Sequence, residues 1–152
     1  MSKLEFSMKL ESSVEELMEM IMDFEKWPTY LPIQLKSVKI LKKNENQITI
    51  EEILVFKTLI KHEIKQTSVY EKISDNLIHS QIISGHAKGT ETNISLLKIE
   101  SGTEIFVDIE LKISLKARFL SPIIKKVFKL FLRGVLLKID YSIIDKGEST
   151  VV

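Results

Sequence analysis

The chain is 152 residues long and 44% hydrophobic, with 22 basic and 21 acidic residues giving a formal net charge of +1. That size and composition suit one domain burying roughly two thirds of its unfolded surface, and the absence of cysteine excludes disulfides, thiolate nucleophiles and thiolate zinc sites. The most apolar stretch, 123–144, is broken by Lys125, Lys126, Lys129, Arg133, Lys138 and Asp140, and the N-terminus holds no apolar run, so no membrane span or signal peptide is expected and the cytoplasm is the expected setting.

Residues 3–11 alternate, with Leu4, Phe6, Met8 and Leu10 on one side, and read as a half-buried first strand. The period then changes. Ser12 and Ser13 precede Glu15 and Glu16 at capping-box spacing, and Val14, Leu17, Met18, Ile21, Met22 and Phe24 recur at helical spacing, predicting a helix up to about Phe24. Pro28 and Pro32 each lack an amide hydrogen and disfavour helical geometry in the residue before them, so the segment with Trp27, Tyr30 and Leu31 supports only a short second helical turn. Turn signals at Asn44, Asn46, 74–76, 85–89 and 101–102 divide the middle of the chain into six strands, 35–42, 47–55, 59–73, 77–84, 90–100 and 104–115. Ser121 as N-cap and Pro122 at the first helical position open a long helix reaching about Ile144. The expected organisation is a single domain, 1–146, with a flexible tail at 147–152.

Charge is unevenly spread. Acids dominate the first 31 residues, whereas no acid stands between Glu110 and Asp140, a tract carrying Lys112, Lys116, Arg118, Lys125, Lys126, Lys129, Arg133 and Lys138. Such a tract either forms a solvated face answering the acidic first helix or, through Lys125, Lys126, Lys129 and Arg133, touches an anionic membrane. Nucleic acid is not expected, because no aromatics interleave the basic residues on a strand platform.

The strand at 59–73 sets His62, Gln66 and Tyr70 on the face opposite Glu63, Lys65, Thr67 and Glu71, where they either orient a mostly apolar ligand or serve as satisfied core polar groups. On the last strand Val107, Ile109 and Leu111 share an apolar face with Ile105 and Ile113, suited to a cavity wall. Steps of 100° along the last helix place Lys125, Lys126, Lys129, Arg133 and Asp140 on one arc and Ile124, Val127, Phe128, Phe131, Val135 and Ile139 opposite. Gly134 and Lys138 fall on the stripe of Val127 and Phe131. Because glycine costs a helix interior roughly 1 kcal/mol against alanine, Gly134 marks either open space for a ligand or a tight helix-to-strand contact. Lys138 either holds a ligand carboxylate or phosphate or snorkels to the surface. The ligand-lining set is thus His62, Gln66, Tyr70, Val107, Ile109 and Leu111 from the sheet, with Val127, Phe131, Gly134 and Lys138 from the helix.

No metal and no cofactor are expected, since His62, His79 and His86 sit on separate elements without ligand spacing. No glycine elbow surrounds a serine, Gly85-His-Ala-Lys-Gly89 is a turn and not a phosphate loop, and Glu51 and Glu52 alternate faces and cannot act together.

The order strand, helix, short helix, six strands, long helix carries a local marker, Val14-Glu-Glu-Leu17 followed by Asp23-Phe-Glu-Lys-Trp-Pro-Thr-Tyr-Leu-Pro32. Over about 3–145 the chain resembles the helix-grip superfamily of START lipid-transfer domains, birch pollen allergens, polyketide cyclases and aromatases, and coenzyme Q binding proteins. The resemblance implies an α+β helix-grip fold, a seven-stranded curved antiparallel sheet wrapped around a long C-terminal helix. It also implies a binder or carrier of a hydrophobic small molecule (lipid, isoprenoid or quinone-like) in a cavity between sheet and helix. Two alternatives stay open because the superfamily shares no universal catalytic motif. One is a cyclase or aromatase-like enzyme using His62, Tyr70 or Lys138 as acid or base; the other is a protein-interaction module using the acidic and basic ends.

Overall fold

A computed structural model describes the backbone of residues 2–57 and 61–150 and the side chains of 2–55 and 63–146. In chain order the elements are β1 (Ser2–Leu10), α1 (Val14–Ile21), a 3-10 turn (Phe24–Lys26), α2 (Trp27–Tyr30), β2 (Leu35–Lys43), β3 (Gln47–Lys57), β4 (Lys61–Ser74), β5 (Leu77–Ser84), β6 (Glu91–Ile99), β7 (Gly102–Leu111), a second 3-10 turn (Leu115–Leu120) and α3 (Ser121–Thr150). The seven strands form one antiparallel sheet in the order β1-β7-β6-β5-β4-β3-β2. The first strand therefore lies beside the last, with Ser2 opposite Leu111 and Leu10 opposite Thr103, and the rest is a meander. This is the helix-grip α+β architecture, with α3 across the concave face of a curved sheet. No helix among the described residues is long and apolar enough to cross a membrane.

Strand alternation explains the packing. On β7 every second residue, from Thr103 through Ile105, Val107 and Ile109 to Leu111, is buried, and from α3 Ile124, Phe131, Leu132, Val135, Leu136 and Ile139 face them across the core. Each such aliphatic or aromatic side chain contributes roughly 1.5–3 kcal/mol by leaving water. Gly102 opens β7 at φ +148°, and a Cβ there would overlap the Leu10 carbonyl oxygen of the neighbouring strand, which restricts the position to glycine.

The capping box forms as the spacing predicts: the Ser13 hydroxyl accepts the Glu16 amide hydrogen at 3.2 Å, and the Glu16 carboxylate accepts from the Ser13 amide. The Trp-Pro knot has a packing role. Trp27 donates its ring N–H to the Ile21 carbonyl at 3.0 Å, and the rings of Phe24, Trp27, Tyr70 and Phe131 cluster, with Phe24 to Tyr70 at 4.3 Å and Trp27 to Phe131 at 6.0 Å. The knot thus ties the entrance of the sheet to α3.

Several boundaries differ from the sequence reading. Ser121 has helical geometry, φ −49° and ψ −48°, because the 3-10 turn at Leu115–Leu120 runs straight into α3; it lies inside the helix and does not cap it. Strand β7 ends at Leu111, since the next amide, Lys112, donates to the Thr90 hydroxyl at 3.0 Å. At the far end α3 continues to Thr150, so 147–150, expected as tail, are helical; 151–152 lie outside the described residues. Asp140, placed by the helical wheel among the solvated cations, is buried. It accepts the Ser12 hydroxyl at 2.6 Å and the amides of Ser12 and Glu11 at 3.0 and 3.2 Å. The Ser12 carbonyl in turn accepts from the Thr103 hydroxyl at 2.8 Å. A carboxylate in that position satisfies the amides of the β1–α1 junction, whose strand ladder has just ended.

Candidate functional site

Between strands β3–β6 and helix α3 lies a narrow chamber of about 30 Å³, room for about two water molecules. Glu52, Gln66, Ser68, Tyr70, Ser80 and Thr92 form its floor; Leu54 and Ile82 on the sheet and Val127, Phe128, Phe131 and Leu132 on α3 supply the apolar remainder. The floor follows from strand register. Ile48, Ile50, Glu52 and Leu54 alternate inward on β3, and antiparallel pairing sets Glu52 opposite Gln66, with Ser68 two residues along β4.

Glu52 is 2% exposed. Ser68 donates its hydroxyl to Glu52 Oε1 at 2.6 Å, and the Gln66 amide reaches the same oxygen at 3.5 Å. Burial raises the Glu52 carboxyl above its ordinary value, and the hydrogen bonds from Ser68 and Gln66 offset only part of that. Tyr70, likewise buried, is pushed well above the ordinary phenol range first by burial and then by the charge of Glu52, while its hydrogen bond to Ser80 opposes the shift. The floor therefore joins hydroxyls and a carboxamide to two acids whose burial favours the protonated form. It can give and take hydrogen bonds with a bound oxygen function, and Glu52 and Tyr70 can hold or pass a proton.

Behind the chamber an open apolar groove of about 260 Å³ is lined by Leu31, Ile33, Gln34, Val55, Leu130, Val127 and Phe131. Val127 and Phe131 line both spaces and form the partition between them.

Of the residues singled out by sequence, Gln66, Tyr70, Val127 and Phe131 come together at the chamber. Val107, Ile109 and Leu111 are buried, but pack in the core away from its lining. The side chain of His62 lies outside the described residues. Gly134 leaves no open space, and its nearest neighbour is not a strand: a Cβ there would come within 3.3 Å of the Leu31 side chain, so the glycine admits the turn after α2 against α3. Lys138 is exposed on an outer groove between α2 and α3, with Thr29, Tyr30, Tyr141 and Asp145. The sequence reading weighs Glu52 only as a partner of Glu51 and does not single it out as a site residue, although an acid in the inward row of Ile48, Ile50 and Leu54 is a visible break in strand patterning. No group of three or more His, Asp or Glu side chains among the described residues is placed to hold a metal ion.

Solved structures share this fold at low identity. The Thermus thermophilus protein TTHA0849 matches with a TM-score of 0.81 and 11% identity over 95% of this chain and 99% of its own. A START superfamily protein of Mycobacterium smegmatis matches at 0.74 and 17% over 94% and 97%. The Zhui aromatase/cyclase of Streptomyces sp. R1128 matches at 0.75 and 10% over 93% and 95%. No curated protein matches in sequence. The profile described as polyketide cyclase / dehydrase and lipid transport matches residues 10–138, most of the chain and all of the chamber lining, and the chain belongs to that family.

Proposed function

We propose that residues 1–146 form one ligand-binding domain that binds and carries a hydrophobic small molecule, of lipid, isoprenoid or quinone type, in the cytoplasm. The observation that carries this reading is the chamber beneath α3, polar at its floor, apolar at its roof and separated by two side chains from an open apolar groove. Burying about 400 Å² of ligand surface contributes about 10 kcal/mol. Association costs of at least about 4 kcal/mol leave a dissociation constant of tens of micromolar, which hydrogen bonds to the floor tighten. At about 30 Å³ the chamber is too small for such a molecule, so Val127 and Phe131 move aside on loading. Exposed Lys126, Lys129 and Arg133, with half-buried Lys125, suit contact with an anionic membrane; Leu115 and Phe119, 80% and 79% exposed beside Lys116 and Arg118, supply apolar prongs for the same surface. Native mass spectrometry of protein purified without detergent, followed by organic extraction, tests the carrier reading. A recurrent released mass supports it; a clean apo mass together with no binding of any apolar probe overturns it.

A second reading, acid-base catalysis of the cyclase or dehydrase kind, is favoured by one observation, the pairing of buried Glu52 with Tyr70 in the same chamber. With Lys138 outside, Glu52 takes its place beside Tyr70, a candidate already named from sequence. Turnover of a polyketide-like substrate that Glu52→Gln abolishes without loss of substrate binding would establish this reading; unchanged turnover would end it.

A further inference from the structure

We infer that chamber and groove form one site selective for an uncharged amphiphile, whose oxygen-bearing head (alcohol, ketone or quinone carbonyl) seats on the floor while its apolar tail passes Val127 and Phe131 into the groove. This rests on the carrier reading and narrows it to a chemical class. The floor residues Glu52, Gln66, Ser68, Tyr70, Ser80 and Thr92 are each at least nine-tenths buried. They present a carboxyl, a carboxamide and four hydroxyls, all able to turn a donor or an acceptor toward a neutral oxygen.

A charged head fares worse. A carboxylate or phosphate seated here gives up its hydration for a buried site beside the carboxyl of Glu52, and any ionised fraction of Glu52 repels it. Among the described residues no cation lines the chamber to offset this, and Lys138 faces the outer groove. An ammonium head requires Glu52 to ionise, which its burial opposes. The tail has a built path. Leu31, Ile33, Val55 and Leu130 continue the apolar wall directly beyond the partition, with Gln34 the one polar lining residue.

The test is displacement of the neutral fluorophore N-phenylnaphthylamine by decanol, decanoate and decylamine. At about pH 8 decanoate is ionised and decylamine protonated, and all three are kept below micelle formation. Decanol is expected to displace the fluorophore at a concentration at least about tenfold lower than either charged analogue. Glu52→Gln, which keeps a hydrogen-bonding head but removes the ionisable acid, is expected to keep decanol binding and to narrow its advantage over decanoate. Glu52→Leu, which removes the floor's carboxyl, is expected to weaken decanol about fivefold and to narrow its advantage over decanoate. If decanoate or decylamine displaces as well as decanol, the selectivity is overturned while the carrier reading stands. If the fluorophore binds and none of the three displaces it, the head-and-tail site is overturned. If no apolar probe binds at all, the carrier reading itself falls.

Discussion

Truncating Phe131 to alanine separates its two roles, as packing element and as partition. The ring is 8% exposed, packs against Trp27 at 6.0 Å between centroids, and lines chamber and groove at once. A fully buried Phe→Ala costs about 3–5 kcal/mol where the site cannot collapse. Here one side of the ring borders an open groove, which puts the cost at the low end, about 3 kcal/mol. At about 2–4 °C per kcal/mol for a domain of this size, the melting temperature falls about 6–12 °C. A total stability of about 5–15 kcal/mol leaves the variant folded at room temperature. Opening the partition removes the step in which the ring moves aside, so stopped-flow association of a neutral apolar fluorophore should accelerate about tenfold, equivalent to lowering a gate by about 1.4 kcal/mol. Phe131→Leu should lie between. A variant that loses the stability but associates no faster refutes the partition; one that melts with wild type refutes the packing argument.

Glu52→Gln tests proton linkage: the Glu52 carboxyl is raised by burial above its ordinary 4.5, so the stability it confers is complete below that value and is lost as pH rises through the folded-state value. Urea midpoints should therefore show the variant gaining on wild type from about pH 5 upward, and a wild type that gains on the variant over that range contradicts the assignment. Asp140→Ala strips the acceptor from one hydroxyl and two amides and should cost about 3–5 kcal/mol by urea denaturation, Asp140→Asn less; a cost below about 1 kcal/mol would show the clamp to be incidental. Gly134→Ala gains up to about 1 kcal/mol of helix propensity against a contact that the end of the Leu31 side chain can yield, so calorimetry should show no net loss, and a loss above about 1 kcal/mol would mean Leu31 is pinned. The double substitution Leu115→Ser with Phe119→Ser should leave the melting temperature unchanged, since both side chains are exposed, yet cut sedimentation with anionic vesicles about tenfold or more; equal sedimentation would remove the prongs from the membrane reading.

The parts of this fold legible in sequence are those governed by local periods. Strand alternation locates β1 to β7 and correctly turns Ile105, Val107, Ile109 and Leu111 inward, and the Ser13–Glu16 box locates the start of α1. Gln66 and Tyr70 stand out because they fall on the face of β4 opposite Glu63, Lys65 and Glu71. Glu52 and Asp140 escape for a common reason. Each is an acid whose stabilising partners come from elsewhere in the chain: Gln66 and Ser68 on the neighbouring strand for one, amides nearly the whole chain away for the other. Periodicity reports which way a side chain points and says nothing of what awaits it. Gly134 and Lys138 mislead similarly, because a stripe on a helical wheel does not reveal that Lys138 opens on a groove beside α2, or that a turn, not a ligand, fills the notch at Gly134.

The contact between Asp140 and Ser12 closes a span of 128 residues, and β1 pairs only with β7. At about 5–20 residues per second on a ribosome, the opening strand waits on the order of ten seconds for its partners to be made, while β2 to β6 can zip up hairpin by hairpin. During that interval Leu4, Phe6, Met8 and Leu10 have no sheet to join. A chain stalled short of β7 therefore displays an unpaired apolar strand, the kind of segment that chaperones bind and proteases clear, and one stalled between Leu111 and Asp140 has the strand paired but not yet fastened by α3.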